Sequence, residues 1–225
     1  MATVKVVELV SKAQTLLQDV TNVRWPVTEL QGWLNDGYRE VVNLRPDANT
    51  QTGTYTCTAG ARQDVTSSFS GATRLVEVVR NTASTSDLRA VRLIDRRMLD
   101  EQRRTWYDET ASVTVQHYMF DPRLPKEFLV YPPATTSAEL EIVYASVPSA
   151  HSLSESELLN AGTAETINLD DSYANVLLDY MLYRAYSKDA EYAANAQRAV
   201  AHFQAMQNAL GVSAQSNAAS QPGVA

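Results

Sequence analysis

The sequence predicts an α+β protein, in which helices from both chain ends form a bundle and a β-sandwich or barrel-like domain is inserted between them. Apolar residues recur at helical spacing only towards the two ends of the chain. The middle is rich in Thr, Val, Tyr and Ser, arranged in short alternating runs typical of strands. We therefore divide the chain into N-terminal helices (1–49), an inserted β-rich domain (50–148), C-terminal helices (149–210) and a flexible C-terminal tail (211–225).

The N-terminal part predicts two helices. The first extends from about Val4 to Gln18, with apolar residues at Val6, Val10, Ala13 and Leu17. The second begins after Pro26, with Thr28 as the expected N-cap, and ends before Pro46. Its apolar stripe consists of Leu30, Trp33, Leu34, Gly37, Tyr38 and Val41. Glycine within such a stripe indicates a closely packed partner helix.

The middle of the chain predicts six strands separated by turn residues, which suits a small sandwich or barrel. They are Gly53–Thr58, Leu75–Arg80, Ala90–Ile94, Val113–Met119, Glu127–Tyr131 and Ala138–Ser146. The fourth and fifth are predicted to pair as a hairpin with a proline-rich turn between them. The segment Asp95–Trp106 is more helical in composition.

The C-terminal part predicts a helix from about Asp170 and a second from Ala190 to Leu210, joined tightly enough to form an antiparallel pair. The apolar stripe predicted for the second helix consists of Tyr192, Ala196, Ala199, Val200, Phe203, Met206 and Leu210, and Gly211 is its expected C-cap. Residues 211–225 contain no ionisable or aromatic side chain, so we expect them to be disordered until a partner orders them.

The composition excludes several classes of protein. The chain has 225 residues, 44% of them hydrophobic, but no run of about 18 apolar residues, so we expect no transmembrane helix. The N-terminus lacks the pattern of a signal peptide. A formal net charge of −7 argues against a dedicated nucleic-acid-binding protein, because the overall field repels phosphate. It does not argue against a protein past which DNA must slide without sticking.

No motif indicates an enzyme, a cofactor or a metal site. His117, His151 and His202 fall on three different segments, away from Cys57, and no CxxC or HExxH motif occurs. The single cysteine allows no intrachain disulfide, and we expect it to be an inert buried residue. GxSxG, GxGxxG and P-loop motifs are also missing from the sequence. We expect a non-enzymatic protein without a cofactor.

Two stretches resemble a known family. Leu17–Pro26 (LQDVTNVRWP), with Trp33–Gly37 (WLNDG) shortly after it, and Asp121–Pro133 (DPRLPKEFLVYPP) resemble phage adaptor proteins of the gp6-like head-completion group. The resemblance implies a structural protein of a tailed-phage virion, located at the head–tail neck and assembled in the host cytoplasm. Family members form a ring beneath the portal, commonly twelve-fold, and their C-terminal segments reach the portal.

The same resemblance implies the partners. These are the portal protein, neighbouring copies of the chain, and downstream tail or nozzle proteins; DNA passes through the channel without specific binding, and no membrane is involved. We expect the C-terminal tail to dock on the portal through Leu210, Gly211, Val212, Gln215, Asn217, Gln221, Pro222 and Val224. Two alternatives stay open, another tail-tube or tail-completion protein and, more remotely, a virion-associated hydrolase.

Arginines and irregularly placed aromatics indicate a subunit interface. The chain has 15 arginines and four lysines, and arginine is favoured where forked donors pair with a neighbour's carboxylates. The candidates are Trp25, Arg89, Arg92, Arg96, Arg97, Arg103, Arg104, Trp106, Tyr107, Asp121, Arg123 and Lys126. Each group also has an alternative. The arginines could form a solvated, locally salt-bridged face, and the aromatics could lie in the core. Residues 121–126 could form a plain turn.

Overall fold

The computed structural model describes residues 2–84, 88–189, 191 and 193–220, with the backbone alone for residues 193 and 212–220. The chain divides into two units, one formed by Met1–Ala48 with Pro148–Ala225 and the other by Asn49–Val147. The first unit contains helices and the second contains two β-sheets, which confirms the predicted α+β class.

Six α-helices lie in the described residues. They are α1 (Val6–Leu17), α2 (Val27–Leu44), α3 (Arg96–Gln102), α4 (Glu155–Leu158), α5 (Ala174–Lys188) and α6 (Ala193–Ser220). All except α3 belong to the first unit, which we call the helical unit. Helix α2 begins at Val27 with Pro26 as its N-cap, so the predicted cap at Thr28 is wrong. The fixed φ of proline suits that position, and Thr28 lies inside the first turn.

The core of the helical unit is built from the predicted apolar stripes. Helices α1, α2, α5 and α6 all contribute buried side chains to it, and Trp33 and Tyr38 lie in it as expected. A Cβ added to Gly37 would lie 3.2 Å from Tyr180 Cδ1 and 3.3 Å from Leu177 Cδ2. Helix α5 is therefore the closely packed partner that the glycine indicated.

Side-chain contacts show that α5 and α6 run antiparallel. The rings of Tyr183 and Phe203 lie 5.0 Å apart, and His202 Nδ1 lies 2.9 Å from Asp179 Oδ1. Further along α5, the Arg198 guanidinium lies over the ring of Tyr186 at 5.6 Å. Later residues of α5 therefore contact earlier residues of α6. The predicted antiparallel pair is confirmed, while Tyr192 lies outside the described residues.

Helix α6 differs from the prediction in its end and in its apolar face. It continues through Gly211 to Ser220, so the expected C-cap at Gly211 is wrong. Gly211 has no positive φ, which is the conformation that a capping glycine of this kind needs. Val200, expected on the apolar stripe, is 56% exposed, because α6 buries Ala199, Met206 and Leu210 instead.

Seven strands lie in the described part of the second unit, which we call the β-unit. They are β1 (Thr50–Thr56), β2 (Gly60–Asp64), β3 (Ala72–Asn81), β4 (Arg92–Leu93), β5 (His117–Phe120), β6 (Glu127–Ala134) and β7 (Glu139–Ser146). They form a three-stranded sheet in the order β1-β7-β3 and a four-stranded sheet in the order β2-β6-β5-β4. The predicted hairpin is confirmed, since His117 pairs with Tyr131 and Phe120 with Phe128 in antiparallel register.

The two sheets share one apolar core, as the faces of a sandwich do. Tyr55 of β1 and Ile142 of β7 pack in it with Phe128 and Val130 of β6. The opposite face of the four-stranded sheet is covered by α3 and the turn at Trp106, which pack on Met119 and Tyr131. Strand alternation sends neighbouring residues of β5 and β6 to these two different cores.

Candidate interaction surfaces

The arginine-rich segment lies on the outer side of the four-stranded sheet, around β4 and α3. Arg96 pairs with Asp100 of the same helix at 3.1 Å, and Arg103 Nη1 lies 3.2 Å from Glu109 Oε1 and 2.6 Å from the Tyr131 hydroxyl. These contacts are the local salt bridges expected under the alternative interpretation. Arg89, Arg92, Arg97 and Arg104 are also exposed, and Arg97 makes no ion pair within the described residues.

A half-open groove of about 820 Å³ runs along this side of the β-unit, and we call it the sheet groove. Its apolar lining includes Leu93, Ile94, Tyr107, Phe120 and Leu124. Its charged lining consists of Arg62, Asp95, Arg96, Arg97, Asp121, Arg123 and Glu127. The groove thus brings Arg96, Arg97 and Tyr107, all predicted interface residues, together with Asp121 and Arg123 of the hairpin turn. Protein interfaces also combine apolar and charged side chains.

The turn between β5 and β6 is held by its own charges. Arg123 donates from Nε and Nη2 to the Asp121 carboxylate at 3.0 and 2.7 Å, and its backbone N–H donates to the same group at 3.0 Å. The Arg123 guanidinium lowers the pKa of Asp121 to about 2. The side chains of Asp121 and Arg123 therefore bond each other within the turn. Leu124 and Lys126 are exposed at its surface.

Two predicted interface aromatics lie in the core instead. Trp25 is 5% exposed and donates its indole N–H to the Ala185 carbonyl at 3.2 Å, and Trp106 is 1% exposed and donates to Asp100 at 2.8 Å. Each large ring is buried while its one polar atom finds a partner, which accounts for the core position. Tyr107, stacked on Trp106 and half-exposed, stays a candidate.

The loop that carries Trp25 exposes different residues, which sequence reasoning missed. We call residues 18–25 the Asp19 loop. Its Val20 and Val23 side chains are 72% and 83% exposed, and Leu16 just before the loop is 52% exposed. Three exposed apolar side chains within eight residues of sequence make this loop a candidate interaction surface. The signal in the sequence was the pair of valines within an otherwise polar loop.

The Asp19 loop is held in one conformation from within. The Asp19 carboxylate, 9% exposed, accepts backbone N–H bonds from Val23 at 3.1 Å and from Arg24 and Trp25 at 2.8 Å each. Donation by Trp25, then by Arg24 and Val23, lowers the pKa of Asp19. Two left-handed residues, Gln18 and Asn22, complete the fold of the loop. A loop fixed in this way loses little conformational entropy on binding.

The expected portal-docking residues begin at Leu210, within α6. Leu210 is 4% exposed, and its carbonyl accepts an N–H bond from Arg45 Nη1 at 3.0 Å. Gly211 is exposed, and Val212, Gln215 and Asn217 continue the helical backbone. Gln221, Pro222 and Val224 lie outside the described residues. Leu210 thus belongs to the core, and the interface role of the others stays a prediction.

Hydrogen bonds around the buried His151 connect the segment 148–168 to α2. The Tyr38 hydroxyl lies 2.8 Å from His151 Nε2 and accepts the Asn168 backbone N–H at 3.1 Å, while His151 Nδ1 pairs with the Glu165 carboxylate. The Asn35 side chain bonds both the N–H and the carbonyl of His151. Burial raises the pKa of Tyr38 to about 12, so its hydroxyl stays neutral and serves packing.

The part of the chain that the structure describes contains no cluster of three or more metal-ligating side chains. Within the same residues, no helix is long and apolar enough to cross a bilayer. Cys57 is buried as expected, and that burial raises the pKa of its thiol to about 12.

The fold and the exposed apolar side chains are compatible with a structural protein that assembles with other proteins. The chain matches the model of the SU10 adaptor protein family over residues 4–225 and belongs to that family. It is thus a phage head–tail adaptor and a structural component of the virion, which confirms the resemblance found in the sequence. No curated protein matches it significantly. The finer gp6-like assignment stays a prediction.

Proposed function

We propose that this adaptor forms a ring at the head–tail neck, which joins the portal to the tail and helps to close the DNA exit channel. Its partners are the portal, neighbouring copies of itself in a ring that we expect to be twelve-fold, and the next tail or nozzle protein. Assembly takes place in the host cytoplasm. The single observation that carries the proposal is the continuation of α6 through Gly211 to Ser220, past the buried Leu210.

Ten residues of α6 follow Leu210, whose side chain is buried in the core of the helical unit. This segment, Gly211–Ser220, contains no charged and no aromatic residue. Such a sequence has a low tendency to stay helical in water on its own, because it has no charged residue to form ion pairs along the helix and only one large apolar residue, Val212. A partner that packs on residues 211–225 supplies what the sequence lacks, and the portal is that partner.

The charge of the chain supports passage of DNA. A formal net charge of −7 gives a ring of copies a strongly negative field, which repels phosphate. DNA therefore moves through the channel without specific binding.

Deletion of residues 211–225 tests the docking role. We expect the deletion to abolish binding to the portal encoded in the same genome, as measured by co-purification, and to leave the thermal transition nearly unchanged, since the chain keeps every described core residue. Loss of the transition would show that the segment is part of the fold. Portal binding that survives the deletion contradicts docking through this segment.

A further inference from the structure

A second cavity, of about 330 Å³, lies within the helical unit, near the ends of α1 and α5 and the start of α6. We call it the arginine pocket. Its lining includes Gln18, Arg24, Tyr186, Asn195 and Arg198. The two arginines are the charged members of this lining, and none of the described residues that line the pocket is acidic. The full charges at its wall are therefore all positive.

Arg198 brings a positive charge that the rest of the helical unit does not neutralise. Helix α6 contains no Asp, Glu or Lys, so Arg198 has no partner of opposite charge on its own helix. Its side chain is exposed and lies over the ring of Tyr186 at 5.6 Å, and it makes no ion pair within the described residues. The ring positions the guanidinium, and its forked N–H donors are open to an incoming carboxylate.

The other arginine of the pocket is already paired. The Arg24 guanidinium bonds the Asp189 carboxylate and lies 5.2 Å from the centre of the Trp25 ring. Asp189 also accepts an N–H bond from the Asn195 amide at 2.6 Å. One positive charge thus remains at the pocket, and the exposed Gln18 amide adds a neutral donor beside it. One remaining charge suits a single carboxylate better than a polyanion.

Apolar side chains beside the pocket indicate that this carboxylate belongs to a protein. Leu16, which lines the pocket, is exposed, and so are Val20 and Val23, which lie in the chain between the lining residues Gln18 and Arg24. A protein segment in which an acidic residue adjoins apolar ones covers both the charge and the apolar side chains. A phosphate of DNA would leave the apolar side chains in water, and the net charge of −7 opposes its approach.

The arginine pocket and the proposed portal-docking segment lie towards opposite ends of the helical unit. Gly211 follows Arg198 by 13 residues of α6, which is about 20 Å of helix. Helix α2 covers the same distance, because Trp25 at the pocket precedes its start and Arg45 after its end bonds the Leu210 carbonyl at 3.0 Å. A subunit docked on the portal through residues 211–225 therefore keeps the pocket for a different partner.

We propose that the arginine pocket binds an acidic side chain of the next tail or nozzle protein. Arg198 and Gln18 donate to the carboxylate, while Leu16, Val20 and Val23 contact apolar residues next to it in the partner. The inference rests on the proposed function, in which the portal occupies the other end of α6.

Removal of the Arg198 charge tests the pocket. The full-length chain is loaded on the portal encoded in the same genome, and the purified next tail or nozzle protein is titrated onto this complex at low and at high salt. Arg198→Gln should raise the Kd about tenfold or more at low salt and less at high salt, because salt screens the lost attraction. Arg198→Lys keeps the charge without the fork and should retain part of the affinity.

Matched variants separate the pocket from charge in general. Arg39→Gln removes another exposed arginine of the helical unit, which pairs with Asp36 on α2, and should leave the Kd unchanged. The double variant Val20→Ser with Val23→Ser should raise the Kd by a similar factor at both salt concentrations, because apolar contact is not screened. All these side chains are exposed, so every variant should keep the wild-type thermal transition and a full set of copies on the portal.

The outcomes also separate this proposal from the proposed function. An unchanged Kd in Arg198→Gln overturns the pocket as a binding site, and so does a wild-type chain that does not bind the next protein. Loss of portal binding in Arg198→Gln would assign the pocket to the portal instead. Binding of duplex DNA that Arg198→Gln abolishes would assign it to nucleic acid. A free chain that binds the next protein through Arg198 but never the portal would support the pocket and contradict the proposed function.

Discussion

Asp19 shows how one side chain shapes a surface from the inside. Its carboxylate accepts three successive backbone N–H groups, of which that of Trp25 is buried. Removing the acceptor leaves these donors without a partner, and an unsatisfied buried donor costs about 1 to 3 kcal/mol. The exposed valines depend on this buried acid for their position.

Asp19→Ala should therefore lower the free energy of unfolding by about 2 to 3 kcal/mol at pH 7. The pKa of Asp19 is lower in the folded chain than its ordinary value near 4, so its contribution is complete above about pH 4 and is lost as the pH falls through the folded value. The difference in the free energy of unfolding between wild type and variant should therefore become smaller as the pH falls. Urea unfolding at pH 7 and at pH 3 measures both. Asp36→Ala, which removes an exposed pair with Arg39, is the control and should change stability little. A difference that is independent of pH would contradict this role.

The sequence did not predict which side chains of this loop face outwards. Trp25 stood out as the largest side chain beside a proline, yet it is buried, while Val20 and Val23 are exposed. The orientation depends on two left-handed residues and on bonds to Asp19, and neither feature has a local sequence signature as strong as glycine. Tyr38 was predicted as core, whereas its partner His151 is remote in sequence and could not be inferred.

At the scale of elements, periodic segments were predicted well and polar or short ones were not. Helices α1, α2 and α5 follow their apolar stripes closely. Strand β2 was missed because Gly60–Asp64 is polar and has no β-branched residue, although it pairs with β6. The strand predicted at Ala90–Ile94 is reduced to Arg92–Leu93, and the one predicted at Val113–Met119 begins only at His117. Helix α6 continues through a glycine that normally marks an end.

Gly211→Ala distinguishes a continuous helix from a helix that ends at Gly211. In a continuous helix an added Cβ meets no atom within 4 Å, and alanine is favoured over glycine by about 1 kcal/mol. The variant should therefore gain up to about 1 kcal/mol in thermal or urea unfolding. Gly60→Ala is the control, because φ is +109° there and alanine would be strained. A Gly211→Ala variant that is destabilised like the control would restore the capping role.

At the scale of the whole molecule, the chain consists of two units with separate cores. The β-unit has its own apolar cluster between the sheets and a second one beneath α3. Its two ends meet within the unit, since Asn49 Nδ2 donates to the Ser146 carbonyl at 2.8 Å. The sequence indicated a change of character near these positions, but the pairing of β1 with β7, about 90 residues further along the chain, had no local signal.

Expression of residues 49–147 alone should give a folded protein, because its ends are adjacent and its core is internal. We expect dispersed amide resonances and a cooperative thermal transition. The same fragment with Leu140→Ala, which removes a fully buried side chain, is the control, measured at the same concentration. Its free energy of unfolding should be lower by about 2 to 5 kcal/mol, so it should unfold at a lower temperature. A fragment without a cooperative transition would show that the β-unit needs the helical unit to fold.

The central claim is that this SU10-family adaptor assembles as a ring on the portal. Co-expression with the portal from the same genome, followed by native mass spectrometry, tests it most directly. The account predicts a portal ring that carries a full and uniform set of copies, twelve on a twelve-fold portal. No association between the portal and the intact, folded chain would contradict it and favour a tail-completion role further from the head.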